Sequence, residues 1–102
     1  MRISKIEDHS GQTALQIEGD LAGEEVGALA EEVGPLLDRQ GALTLDLAGV
    51  RFIGPSGLLL LRRLCQCGLR LRRPSRFVLL LMRQHGLDRY VETNEAGKAG
   101  FA

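Results

Sequence analysis

One hydroxyl in this chain stands where chemistry could happen. Ser56 follows Gly54 and Pro55 and precedes Gly57 within LTLDLAGVRFIGPSGLLLL (residues 43–61), which passes from an alternating strand through a short loop into a helix. A serine at a helix start, just beyond a strand, meets the positive end of the helix dipole and unpaired backbone N–H groups, so an anion is favoured there. Ser56 is therefore a nucleophile, an anion ligand, a modification site or a plain helix cap.

The neighbouring residue types weigh these chemistries. A serine hydrolase built on a strand-to-helix turn wants glycine on both sides of the nucleophile, with an acid and a histidine to activate it. Here Leu58 occupies the second glycine's place, and the only bases are His9, in a turn, and His85, at a helix end. A phosphate cradle wants more glycine and a lysine after the loop, whereas this chain offers Gly54, Gly57 and an arginine, Arg62, a turn and a half later. A phosphorylation switch fits better, because the N–H groups and the dipole receive the added charge. On residues alone, capping is the plainest reading. Cys65 and Cys67, at i and i+2 on a helix, point about 160° apart and do not share a metal ion, so core packing is expected of both. No metal site and no cofactor are expected.

These residues are positioned by a regular alternation of elements. Residues 2–7 and 12–18 alternate in hydropathy around His9-Ser10-Gly11, which predicts an opening hairpin or two neighbouring strands. Gly19-Asp20-Leu21 closes the second. Over 22–40 the apolar positions Val26, Leu29, Ala30, Val33, Leu36 and Leu37 share one helical face, and Glu24, Glu25, Glu31, Glu32 and Asp38 fall away from it. Pro35 is expected to kink or break that helix near Val33, and Gly41 to end it. A strand at 43–47 and a helix at 55–67 follow, with Pro55 preorganised at the first helical position and Gly68 as the stop. A fourth strand at 69–73, a third helix at 75–84 ended by Gly86, and a short last strand at 89–92 complete the pattern. Residues 93–102 either add a weak helical turn or fray.

The order β-β-α-β-α-β-α-β predicts a single α/β domain over residues 1–102, a mixed central sheet with helices packed on it. The loop over 49–56 belongs to the strand-to-helix edge where such folds keep their sites. On the helix at 55–67, Leu58, Leu60, Leu61, Leu64, Cys65 and Cys67 take the inner half. Ser56, Leu59 and Arg63, at i, i+3 and i+7, form one ridge at the edge of the outer half.

Composition narrows the function class. The chain has 102 residues and zero formal net charge, but up to Val50 it carries three basic residues (Arg2, Lys5, Arg39) against ten acidic ones, and the balance then reverses. Arg62, Arg63, Arg70, Arg72, Arg73, Arg76 and Arg83 fall within a stretch, 51–87, that contains no acid. With no Trp, one Tyr and three Phe, the stacking platforms of a nucleic-acid binder are missing, and pairing of the two halves within one fold is expected. The longest aliphatic run is about four residues, against the ~20 needed to span a bilayer. No secretory leader is expected at the N-terminus, and the cysteine usage suits a reducing compartment. The protein is expected to be cytoplasmic, with no membrane insertion.

Two motifs resemble the STAS domain, the fold of bacterial anti-sigma factor antagonists. Gly19-Asp20-Leu21 looks like the family's glycine-acid-leucine turn before its first helix. LDLAGVRFIGPSGLLLL resembles the family's strand, its aspartate-leucine-small-glycine-valine run and its Asp-Ser-Ser-Gly helix start. Arg73-Pro74-Ser75 and Gly86-Leu87 look like the fourth-strand exit and third-helix stop. The likeness covers nearly the whole chain.

That resemblance implies a non-enzymatic regulatory module. Its partner would be an anti-sigma factor with serine kinase activity, and the phosphorylated serine falls on Ser56. Partner binding is expected through Gly54, Pro55, Ser56, Gly57, Leu59 and Arg63, with Asp20 beside them. Gly54 stands where the family has Asp, Pro55 where it has the first Ser, and Ala22 where an acid is common, so the likeness supports binding more directly than phosphorylation. The alternative it implies is a cytoplasmic STAS accessory subunit of a lipid or anion ABC-type transporter, with the transporter ATPase subunit as partner.

Overall fold

A computed structural model of the chain describes residues 1–7, 13–40 and 43–92. The elements are β1 (Arg2–Glu7), β2 (Thr13–Leu21), α1 (Glu24–Gln40), β3 (Leu43–Ile53), α2 (Pro55–Gln66), β4 (Leu69–Arg72) and α3 (Arg76–Arg83), followed by a 3-10 turn at Asp88–Tyr90. The turn expected at His9-Ser10-Gly11, the helix stop at Gly41 and the tail 93–102 lie outside the described residues.

The strands form one mixed sheet in the order β1-β2-β3-β4, with β1 antiparallel to β2 and the other pairs parallel. Both parallel crossovers step the same way across the sheet. The right-handed rule therefore puts α1 and α2 on one face, where they touch each other. Register sets Leu15 beside Leu45 and Leu45 beside Leu71, so period-two alternation lines a single face with leucine. Leu29, Val33, Leu58 and Leu61 join these strand residues in the core.

Three expectations need correcting. The helix α1 continues through Pro35 without a break; Pro35 and Glu31, whose carbonyl loses its i+4 donor, are both exposed, on a side of the helix where solvent is free to replace the lost donor. The strand expected to end at residue 47 runs to Ile53, because two bulges carry it onward. Asp46 pairs with Gln16 and Gly49 with Glu18, then Val50 with Gly19 and Phe52 with Asp20, so β3 spends one extra residue each time. The strand expected at 89–92 is reduced to a bridge from Val91 to Leu71, secured by the Glu92 N–H donating to the Leu71 carbonyl at 2.7 Å.

A buried carboxylate marks the other face of β3. Asp46 is 1 % exposed, and its Oδ1 accepts from the Ala48 N–H at 2.9 Å. Its Oδ2 accepts from Arg73 Nη2 at 2.8 Å, Arg73 Nε at 3.1 Å and Arg72 Nε at 3.3 Å. Arg73 delivers that fork from a left-handed backbone, φ 57°, a conformation non-glycine residues seldom take. Burial alone would raise the Asp46 pKa. The Arg73 hydrogen bond, the Ala48 amide, Arg73's charge and the Arg72 hydrogen bond together outweigh it and hold the carboxyl below its ordinary value.

Candidate functional site

The start of α2 is built against the end of β2. The Gly54 N–H donates to the Leu21 carbonyl at 2.9 Å, and the Gly54 carbonyl accepts the first helical bond, from Leu58 N–H, at 3.0 Å. Gly54 is the N-cap, in extended conformation (φ −80°, ψ 174°), and Pro55 takes the first helical position. Gly57 is buried, and a Cβ there would lie 2.6 Å from the Leu21 carbonyl oxygen and 2.9 Å from Ile53 Cγ2. Only glycine lets the helix sit this close to the strand ends. At Gly54 a Cβ would stand 3.2 Å from the Ala22 Cβ. Two small residues, Gly54 and Ala22, thus pack against each other.

Ser56 is not the cap. It sits at the second helical position, exposed, and makes no hydrogen bond to any described residue. The N-cap gives no side-chain hydrogen bond and the first turn contains no acid, so the positive end of α2 is uncompensated by the side chains of its own cap and first turn. Ser75, by contrast, caps α3 and accepts from the Val78 N–H at 3.2 Å. Two serines at two helix starts thus have opposite roles.

The other expected site residues fall as follows. Pro55 is exposed beside Ser56. Leu59, 59 % exposed, and Arg63, also exposed, continue the outer ridge of α2. Asp20 is exposed at the end of β2, paired in register with Phe52, and contacts Arg51 Nε at 3.7 Å. The structure therefore gathers Asp20, Gly54, Pro55, Ser56 and Gly57 at one end of the sheet, with Leu59 and Arg63 one and two turns along the helix.

Among the described residues, which do not include His9, the hydrolase geometry does not form. His85 lines a polar groove of about 510 Å³ with Arg62, Gln66, Asp88 and Arg89, beside the other end of α2. Six to ten residues of helix separate Ser56 from Arg62 and Gln66, roughly 9–15 Å at 1.5 Å per residue. Cys65 is buried and its thiol is pushed up to about 12 by that burial, against the pull of Arg70's charge, so it is inert as a nucleophile. Cys67, expected in the inner half, is exposed; it caps the helix after Gln66, and Gly68 turns the chain away at φ 117°. Among the described residues no three His, Cys, Asp or Glu side chains gather within ligating reach. No described helix is long and apolar enough to cross a membrane.

Among the described residues the expected pairing of acidic and basic halves is seen at two places, Asp20 with Arg51 and Asp46 with Arg72 and Arg73. Arg62, Arg63, Arg70, Arg76, Arg83 and Arg89 have no ion pair with a described residue. Sequence reasoning also missed Phe52, Phe77 and Leu80, which are exposed. Phe52 was hidden in what read as a loop. In α3 the separation of Leu80, and less fully of Phe77, from Val78 and Met82 on the helical wheel was the available signal.

Comparison with known proteins gives the following. Residues 4–93 match the family described as Mlab, STAS domain. Among curated proteins no sequence matches this chain. The fold is similar to the anti-sigma factor antagonist SpoIIAA in its unphosphorylated form (TM-score 0.74, 14 % identity, 94 % of this chain and 92 % of that one). It is also similar to an anti-sigma factor antagonist from Mycobacterium paratuberculosis (TM-score 0.75, 23 % identity, 96 % and 93 %). A third likeness is to the Bacillus cell fate determinant SpoIIAA in the phosphorylated form (TM-score 0.67, 13 % identity, 96 % and 97 %).

Proposed function

The chain belongs to the STAS-domain family, and on that premise we propose that it is an anti-sigma factor antagonist, docking an anti-sigma factor through the start of α2 and switched by phosphorylation of Ser56. A STAS domain is a binding module, not an enzyme, so the chemistry at Ser56 is done by the partner, an anti-sigma factor with serine kinase activity, in the cytoplasm. The observation that carries this reading is the state of Ser56: exposed, uncapped, and on a helix start pinned by Gly54 and Gly57. A phosphoryl group there adds nearly two negative charges without breaking any bond of the fold. A partner packed over Pro55, Ser56, Leu59 and Arg63 would meet that charge directly, while Asp20 stands at the adjoining strand end.

Gly54 and Pro55 favour a second reading. They remove the carboxylate and first serine of the family's motif, and a face that binds without being phosphorylated suits a cytoplasmic accessory subunit of a lipid or anion ABC-type transporter, docked on the ATPase subunit. The two readings separate in one experiment. The anti-sigma factor from the source genome is titrated calorimetrically with the chain and with its Ser56→Asp and Ser56→Ala variants, and the chain isolated from its own cells is weighed intact. Ser56→Asp is expected to weaken binding at least tenfold and Ser56→Ala to keep it, with a phosphorylated fraction in the native mass spectrum. Undiminished binding by Ser56→Asp sinks the switch. Recovery with a transport ATPase and no mass increment supports the second reading instead.

A further inference from the structure

The outward side of α3 is apolar where a surface helix is normally polar. Val78 and Met82 point inward and are fully buried. At 100° per residue Leu80 lies roughly 160° from both and Phe77 roughly 100–140° from them, 51 % and 53 % exposed, with Arg76 and Arg83 beside Leu80. The Phe77 ring stacks on Phe52, centroids 6.5 Å apart and planes inclined by 23°. Phe52, at the end of β3, is itself 41 % exposed. Stacking hides one side of each ring and leaves the other in water. Taking ~200 Å² per side chain, the three present about 300 Å² of apolar surface, the size of the largest patch on a typical monomer and often a functional one.

The patch adjoins the helix start. A Cβ at Gly54 would lie 3.7 Å from the Phe52 ring, so the exposed aromatic pair begins four positions before Ser56, against the N-cap of α2. Its rim is basic. No acid occurs between Arg51 and Leu87 in the sequence, and Arg76 and Arg83 have no ion pair with a described residue.

We propose that this patch seats an acidic amphipathic polypeptide segment of a protein partner, its apolar side chains covering Phe52, Phe77 and Leu80 and its carboxylates meeting Arg76 and Arg83. This rests on the reading of the chain as a protein-binding module and extends the contact from the α2 ridge onto α3. A polypeptide fits better than an anionic bilayer. The exposed apolar pair covers only about one turn of an eight-residue helix, and the exposed Asp20 carboxylate stands opposite Phe52 in the sheet register. A lipid surface would press on that carboxylate, whereas a segment can pass beside it.

The test titrates the isotope-labelled chain of residues 1–102 with three probes, followed by amide shifts. They are a synthetic acidic amphipathic helix of Glu and Leu, its charge-inverted Lys and Leu counterpart, and phosphatidylglycerol vesicles. Shifts from the acidic peptide are expected to centre on Phe52, Arg76, Phe77 and Leu80. Phe77→Ser and, separately, Leu80→Ser should each weaken it at least tenfold, and Arg76→Glu with Arg83→Glu should do the same. Equal binding of the Lys peptide, preference for the vesicles, or undiminished binding by either serine variant overturns the proposal. Movement of the Phe77 ring resonances in Phe101→Ala would assign the patch to the chain's own tail, and also overturns it. Binding of the anti-sigma factor separates this claim from its premise. Loss in Leu59→Ser with retention in Phe77→Ser defeats the extension alone, and retention in both defeats the protein-docking reading as well.

Discussion

Replacing Ser56 by aspartate should make the isolated protein slightly more stable, and this is the sharpest test of how the helix start is built. The first turn of α2 has no acidic residue, and its N-cap is a glycine that offers no side-chain acceptor. The amides of Ser56 and Gly57 open the helix, where N–H groups have no intrahelical acceptor. Ser56 is exposed, so an introduced carboxylate keeps its hydration and meets only the field of the helix. A surface carboxylate in that position gains about 0.3–1 kcal/mol at low ionic strength. The hydroxyl it replaces makes no bond to a described residue, so nothing is lost in exchange. For a domain of about 100 residues, ~0.5 kcal/mol moves Tm by roughly 2–4 °C. Urea titrations and thermal melts of the parent, Ser56→Asp and the uncharged Ser56→Asn measure the effect at ~20 mM and ~500 mM salt, where screening should shrink it. A loss of more than about 1 kcal/mol in Ser56→Asp would refute the reasoning. So would an equal gain in Ser56→Asn that salt leaves untouched. Either result would mean that the serine belongs to the fold and not to an open anion-favouring end.

Three other perturbations test the frame around that end. Gly57→Ala puts a Cβ 2.6 Å from the Leu21 carbonyl oxygen; overpacking, partly offset by alanine's helix propensity, should destabilise by about 1–3 kcal/mol in urea titrations, and an unchanged midpoint would contradict the close approach. Pro35→Ala restores the bond to the Glu31 carbonyl on an exposed helix surface and should stabilise by roughly 1–3 kcal/mol; a lower Tm would show that the proline is needed. Asp46 has a folded-state pKa below its ordinary value, so its contribution is present above the unfolded-state pKa of about 4 and is lost as pH falls through the folded value. Asp46→Asn should therefore cost about 1–3 kcal/mol at neutral pH, kept modest because Arg72 and Arg73 are 31 % and 60 % exposed. The gap between parent and variant should narrow in titrations below pH ~4, and a gap constant with pH would contradict the arrangement.

Much of the frame was legible because local and tertiary demands agree. The stripe of Val26, Leu29, Val33 and Leu37 and the acids in the first turn both specify α1. Pro55 and Gly68 bracket α2 because one accepts the first helical position and the other the reversed φ that ends it. The errors have physical causes. Strand alternation fails as a guide where bulges shift parity, and β3 has two of them just where residues 48–52 read as loop. The expected last strand is a single bridge, because the 3-10 turn uses up Asp88–Tyr90. At the site, the spacing of Ser56, Leu59 and Arg63 showed the ridge, but capping of α2 could not be assigned from residue type. A serine at the second helical position and one at the N-cap read alike until the backbone is known. Phe52 and Phe77 lie 25 positions apart, and their stacking depends on how α3 returns against β3, which no local pattern encodes.

The anchoring of the α2 start to Leu21 has a kinetic consequence. With the Gly54 amide tied to the β2 end and no room beside Gly57 for a side chain, this corner offers no alternative packing to sample. On the proposed reading, a charge added at Ser56 would then be felt by a bound partner as soon as it is made, with no slow rearrangement of this corner in between. Release of that partner should be single-exponential, its rate set by the complex alone. A lag before release would have to arise in the partner.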